Sequence, residues 1–344
     1  MENKKKKYIS LDVGFHACKV CYIDEDGLMQ VDKFPSAVCK LPNPAEVDDT
    51  NNGQVFQIGP DWWAVAETAL KCPKDLLMPL STFEDMLAVY VPICSYVANK
   101  YGNGFDSFDY FIIGVSLAFQ DRVNSLLNHL MTSLNLTEDK AGYFMCLPQG
   151  VSAKYCYFQY GLNPGSKTEK SKVKMSDFLI VDFGGETLDI SLVLEGSSST
   201  GIKLGIDGVG CNNIAFGVVD YVYKTYGFQI SFKTAQVIVE GDNILTRRGR
   251  EIDLSDIIKT LKKKYIKDIL NLLDEKCGEI LNSISGILIV GGGAMIFKEL
   301  YDDPDVEKEI EKHFSKNFIK IPEMPEYYNA ISYLKIGEKL INEQ

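Results

Sequence analysis

Along this chain, short apolar runs of period two alternate with longer runs of helical spacing. Tyr8 to Val13, Lys19 to Asp24 and Leu28 to Phe34 read as three short strands, with Asp26-Gly27 as the turn before the third. From Pro35 to about Pro79 the pattern breaks into Pro, Asn, Asp and Gly, with strand pieces such as Gln54 to Ile58, and reads as a small irregular insertion. Trp62-Trp63 within it reads as local core. Ser81 to Glu84 has the spacing of a capping box and opens a helix whose apolar face (Met86, Leu87, Tyr90, Ile93, Val97) runs to Tyr101-Gly102. Tyr110 to Val115 then reads as a buried strand, Phe119 to Leu134 as a helix, Gly142 to Leu147 as a strand and Val151 to about Tyr160 as a helix. Gly161 to Met175 is polar, rich in Lys and Ser and without an apolar period, which predicts a flexible loop between two halves.

The second half opens with Phe178 to Leu194, an apolar run ending in Asp182, a glycine turn at Gly184-Gly185 and an alternating second run. Lys203 to Ile206 predicts a strand, and about Asn212 to Tyr226 a helix. Ile230 to Gly241 and an amphipathic helix from Asp253 to about Ser283 include a second insertion. Ile287 to Val290 is a continuous apolar strand running into Gly291-Gly292-Gly293-Ala294, where a helix starts and ends near Asp302. Tyr327 to Leu340 makes a closing helix. Strands alternating with helices place the chain in the α/β class.

At 344 residues the chain suits two domains, and its 46% hydrophobic and 24% charged content is that of a globular protein. A net charge of −11 argues against direct nucleic-acid binding, which needs a basic surface. The Lys4 to Lys7 run is the exception and reads as a solvated tail. With no signal-peptide core and no long apolar run, the protein is expected to be neither secreted nor membrane-bound. Nine scattered cysteines fit a reducing cytoplasm. Cys18 and Cys21 have C-x-x-C spacing, but within a strand they face opposite ways and have no partner pair, so buried thiols are expected. Three histidines (His16, His129, His313) without a nucleophile elbow argue against a Ser-His-Asp hydrolase.

Two adjacent glycines between strands are by themselves commonly just a hairpin turn. Here the pattern recurs, because Ile9 to Val20 overlays Leu179 to Ile190 without a gap. Asp12 falls on Asp182 and Gly14 on Gly184, which suggests a duplicated domain closing on one nucleotide. Glycine turns leave backbone amides open to phosphate oxygens. The two strand-end carboxylates suit Mg²⁺ held through water against the phosphates, and Lys19 can reach back to offset their charge. The Gly291–Gly293 turn admits a flat base or ribose against the backbone. Neither G-x-G-x-x-G nor G-x-x-x-x-G-K-[ST] is present. Gln149 is the candidate to orient an attacking water, the alternative being that it only caps the helix after it.

These motifs resemble the superfamily of actin, sugar kinases and Hsp70-type ATPases. Asp12-Val-Gly-Phe-His-Ala-Cys-Lys19 is similar to its first phosphate motif and Asp182-Phe-Gly-Gly-Glu-Thr187 to its second. Leu147 to Ala153 and Gly208-Val-Gly-Cys-Asn212 resemble its two connections, and Ile289 to Ala294 its adenosine motif. Within the superfamily the chain is most similar to plasmid-segregation actins of the ParM and StbA type. The resemblance implies actin-like (ribonuclease H-like) duplicated domains, each a mixed sheet with flanking helices, with a nucleotide cleft between. The implied division is a large subdomain of 1–34, 80–160 and 326–344 with a small one of 35–79. An inter-domain loop spans 161–176, and a second large subdomain of 177–227 and 284–325 carries a small one of 228–283.

The resemblance further implies catalytic roles for Gln149, Asp182 and Asp12, with Mg²⁺ on the two aspartates. Nucleotide contacts would come from Gly14, Phe15, His16, Lys19, Gly184, Gly185, Glu186, Thr187, Gly208, Gly210, Asn212, Gln236, Gly291, Gly292, Gly293 and Ala294. Phe15 stands where actin has a hydroxyl residue, leaving only backbone amides for the γ-phosphate there. The implied cofactor is ATP or GTP, since contacts that separate the bases are not readable. The implied partners are the protein itself, as a head-to-tail filament that loses stability after hydrolysis, and a DNA-binding adaptor on a plasmid centromere. The alternative is a small-molecule (sugar or acid) kinase, disfavoured because the start of the helix after the first connection offers Gln149 and no carboxylate base. A chaperone ATPase is not expected, because no peptide-binding domain follows residue 344.

Overall fold

The computed structural model describes residues 7–43, 53–79, 82–115, 121–136, 144–164, 177–194 and 200–342. The chain divides into two compact units, Met1–Lys172 with Tyr327–Gln344, and Val173–Glu326. Residues 4–6 of the lysine run, Ser81 and most of the expected loop 161–176 lie outside the described residues.

In the first unit β1 (Tyr8–Val13), β2 (Ala17–Ile23) and β3 (Met29–Pro35) form an antiparallel meander. A separate small sheet holds β4 (Val38–Leu41), β5 (Val55–Ile58) and β6 (Asp61–Val65), in the order β4-β6-β5. It is followed by α1 (Ala66–Ala69) and α2 (Phe83–Lys100). After α2 come β7 (Tyr110–Val115), α3 (Val123–Ser133), β8 (Phe144–Pro148) and α4 (Val151–Tyr160). β7 and β8 join the first sheet in parallel, giving the order β3-β2-β1-β7-β8.

Alternation along β1 sorts its two faces. Ile9, Leu11 and Val13 share a core with Val89, Ile93 and Val97 of α2. Ser10 points the other way and donates to the Ala330 carbonyl at 2.7 Å, on the chain's last helix, Tyr328–Asn342. That helix sits close because β7 carries Gly114, where a Cβ would meet the Tyr333 ring at 2.2 Å. The start of α2 is capped one residue later than the sequence pattern indicates. Thr82 Oγ1 accepts from the Asp85 amide at 3.1 Å, and an Asp85 carboxylate oxygen accepts from the Thr82 amide at 2.9 Å. Asp85, not Glu84, occupies the third helical position that a reciprocal cap requires.

In the second unit β9 (Phe178–Phe183), β10 (Thr187–Val193) and β11 (Thr200–Asp207) form another antiparallel meander. Then come α5 (Asn212–Tyr226), α6 (Phe232–Glu240), the hairpin β12 (Ile244–Arg247) with β13 (Arg250–Asp253), and α7 (Ser255–Leu281). β14 (Ile287–Val290), α8 (Ala294–Leu300), α9 (Pro304–His313) and β15 (Ile319–Lys320) complete it. The sheet runs β11-β10-β9-β14-β15, with β14 and β15 parallel to β9. Strand order and direction therefore repeat those of the first unit.

α7 presents Tyr265, Ile266, Ile269, Leu270, Leu273 and Cys277 to the core under β9 and β14, at the spacing of one helical face. A smaller core joins Ala215, Val218 and Val222 of α5 to Ala235 and Ile238 of α6 and to Leu245, Leu254 and Ile258. Trp62 and Trp63 are half-buried, one against the small-sheet core and the other against the main core, as expected of local packing. All nine cysteines are free thiols; Cys18 and Cys21 are both buried in β2, where burial pushes their thiols up. No helix among the described residues is long and apolar enough to cross a membrane.

Candidate functional site

Asp12 is the penultimate residue of the central strand of the first unit and is 5% exposed. It lies directly across the hairpin from Lys19. Between them the chain turns on Gly14, whose amide donates to the Ala17 carbonyl at 3.2 Å. Lys19 folds back over this turn, so that a Cβ on Gly14 would lie 3.2 Å from Lys19 Nζ. Phe15 is 47% exposed at the tip and His16 is exposed beside it, its carbonyl accepting from the Ser36 amide at 3.1 Å.

Gln149 arrives from the end of β8, where its amide donates to the Val115 carbonyl at 3.1 Å. Gly150, at φ +71°, supplies the left-handed step that sends the chain into α4. The step leaves the Gln149 side chain beside Asp12, and Nε2 donates to Asp12 Oδ1 at 3.0 Å.

The second unit repeats the turn. Gly184 donates to the Thr187 carbonyl at 2.9 Å, the counterpart of the Gly14 to Ala17 bond. Four further backbone bonds fasten it to the start of α5. Gly208 and Gly210 donate to the Glu186 carbonyl at 3.0 and 3.1 Å, Cys211 to Gly184 at 3.1 Å and Asn212 to Gly185 at 2.8 Å. Gly210 cannot carry a side chain, since a Cβ would fall 2.2 Å from the Gly185 carbonyl oxygen.

Gly291 continues β14 beside Asp182, at φ +86°, where a Cβ would lie 2.3 Å from Asp182 Oδ1. Gly293 donates to the Phe183 carbonyl at 3.0 Å, nothing lies within 4 Å of a Cβ on Gly292, and buried Ala294 starts α8. The expected Gly184–Thr187, Gly208–Asn212 and Gly291–Ala294 segments thus gather around Asp182. Gln236 joins them, its Nε2 donating to Asn212 Oδ1 at 3.1 Å.

One residue of this surround escaped the sequence reading. Asp189 lies directly across the hairpin from Asp182, and burial, then the charge of Asp207, holds its carboxyl above the usual carboxylate range. The repeat itself contained the signal, because Asp189 falls on Lys19: the cation of the first hairpin is an acid in the second. Among the described residues no three His, Cys, Asp or Glu side chains gather as a metal site. Mg²⁺ needs only one or two carboxylates beside phosphate oxygens and water, so the strand-end aspartates remain chemically suited to it.

Two copies of one five-stranded sheet, each with an aspartate-led glycine turn leaving its central strand, define an actin-like fold. Residues 180–302 match the family model described as archaeal actin homologue MreB-like, C-terminal. Among curated proteins none matches the chain. Among solved structures, the chain is similar to an archaeal actin homologue with TM-score 0.69 and 15% identity, covering 97% of this chain and 99% of that one. It is similar to a subunit of a 15-stranded ParM filament from Clostridium botulinum with TM-score 0.66 and 18% identity, over 98% and 100% of the two chains. Bacillus thuringiensis ParM with ATP is similar with TM-score 0.64 and 13% identity, over 99% and 100%. At such identities the likeness establishes the fold.

Proposed function

We propose that this chain is an actin-like nucleoside triphosphatase, with ATP as the expected nucleotide, that assembles head-to-tail into filaments and loses filament stability after hydrolysis. The observation that carries the reading is the repeated turn: Gly14 to Ala17 at 3.2 Å and Gly184 to Thr187 at 2.9 Å, each following a strand-end aspartate. Both turns are proposed to serve the same triphosphate, as the sequence repeat implies, with Gly291 to Ala294, Asn212 and Gln236 on the nucleoside side. Asp12 and Asp182 would hold Mg²⁺, which when bound neutralises phosphate charge. Lys19 adds a second cation at the first turn. The Gln149 amide, held at Asp12, positions a water without acting as a strong base, which fits slow turnover.

The filament part draws on the fold shared with proteins that their structures describe as ParM, one of them a filament. Segregation of plasmid DNA through a DNA-bound adaptor, in the cytoplasm, is the cellular role proposed on that likeness. Purified protein mixed with Mg-ATP is expected to scatter light, pellet at high speed and release phosphate. A protein that stays monomeric at high micromolar concentration and phosphorylates a sugar would instead be a kinase on this fold.

A further inference from the structure

Of the 36 lysines and arginines in the chain, four are arginines, and three of these stand at Arg247, Arg248 and Arg250. They form the tip of the β12–β13 hairpin. The tip is built against local preference in two ways. Arg247 and Arg250 are directly paired across the strands, and like charges placed opposite destabilise a hairpin. Arg248 and Gly249 both hold positive φ, +49° and +74°, in a two-residue turn whose first position favours asparagine over a long side chain. Local rules broken together at one exposed point mark a functional position.

Arg248 and Arg250 are exposed, while Arg247 stacks on Phe228 with its guanidinium 3.4 Å from the ring centroid. Among the described residues none of the three is in an ion pair. Arginine differs from lysine in presenting a planar fork that takes a carboxylate with two parallel hydrogen bonds. Behind the tip the surface turns acidic, with Glu240, Asp242, Glu251 and Asp253 all exposed. A long polyanion laid across the tip would meet these acids; a compact group of carboxylates would not. Such groups abound on the chain itself, whose net charge is −11 and whose copies repel one another.

We propose that the 247–250 tip is a contact for a second copy of this chain, its guanidinium groups gripping surface carboxylates of the neighbour. The proposal rests on the filament reading and names a cation that offsets repulsion between subunits. Arg248→Glu/Arg250→Glu and Arg248→Lys/Arg250→Lys variants test it, with Arg247 kept for its stack on Phe228. Assembly is followed by light scattering and pelleting over a concentration series with Mg-ATP, at low and high salt. Nucleotide affinity is measured in parallel.

The charge reversal is expected to raise the critical concentration about fivefold or more, the lysine pair by less, with ATP affinity unchanged. Added below stoichiometry, the reversed variant should also slow wild-type assembly, since it retains the carboxylates. An unchanged critical concentration overturns the tip contact and leaves the filament reading standing. A wild type that stays monomeric overturns both. Binding of a labelled oligonucleotide that the reversal abolishes while assembly is unchanged assigns the tip to nucleic acid, and also overturns the proposal.

Discussion

Gln149 Nε2 donates to Asp12 Oδ1 at 3.0 Å, joining residues 137 positions apart. The bond fixes the amide plane, so the side-chain oxygen is the group left to accept from a water. The side chain thus serves Asp12, while the Gln149 backbone carbonyl accepts from the Val151 amide at 2.7 Å where α4 starts.

Replacing Gln149 with Ala is expected to slow phosphate release by roughly 10²-fold, since catalysis of this kind depends on placement. Nucleotide affinity and nucleotide-dependent assembly should stay near wild type. Single-turnover phosphate release beside a pelleting assay separates the two; equal rates in both proteins would leave Gln149 without a catalytic part.

Asp182→Ala should act at an earlier step. Loss of this carboxylate is expected to weaken binding of Mg-nucleotide while nucleotide binding in EDTA changes little. Titration of a fluorescent ATP analogue with and without Mg²⁺ reads the difference, and a variant equally weakened in both conditions would show that Asp182 does not hold the metal.

A side chain at Gly291 has nowhere to go. In Gly291→Ala the new methyl would meet Asp182 Oδ1 at 2.3 Å and the Phe183 carbonyl oxygen at 2.6 Å, at φ +86°. The strain is expected to cost about 1–3 kcal/mol in urea unfolding and to displace Asp182, weakening nucleotide binding as well. Gly292→Ala, with nothing within 4 Å of its Cβ, is the control and should melt like wild type.

Asp189 predicts a pH dependence. Its carboxyl holds its proton to higher pH in the folded protein than at the unfolded value of 3.8, because burial and Asp207 disfavour the anion. Folding therefore takes up a proton between the two values, and stability falls as pH rises through that window and stays reduced above it. Asp189→Asn should melt higher than wild type at neutral pH, with the advantage vanishing below about pH 3.8. Melting curves of the nucleotide-free proteins across pH check this; a constant difference at every pH would mean the gain is not electrostatic.

Much of the framework was legible because its signals are local. β1, β7, α4, α5 and β14 fall where alternation, apolar runs and flanking turn residues place them. The missed elements carry short or weak patterns. β4 and β6 are short strands inside a stretch dominated by turn residues, and β15 has only two residues. α9 buries only Val306 and Ile310, although Asp303 as its cap and Pro304 in its first turn were readable start signals. The β12–β13 hairpin pairs two arginines across its turn, which no strand pattern would favour.

The amino-acid order alone determined the repeated aspartate-led turns, since strand periodicity and glycine punctuation act over a few residues. Only the tertiary structure decided what surrounds them: that Gln149 reaches Asp12 and that Gly291 lies against Asp182. Those meetings follow from which strands lie side by side, and strand neighbours are chosen by the burial of faces far apart in sequence. No local pattern encodes that choice.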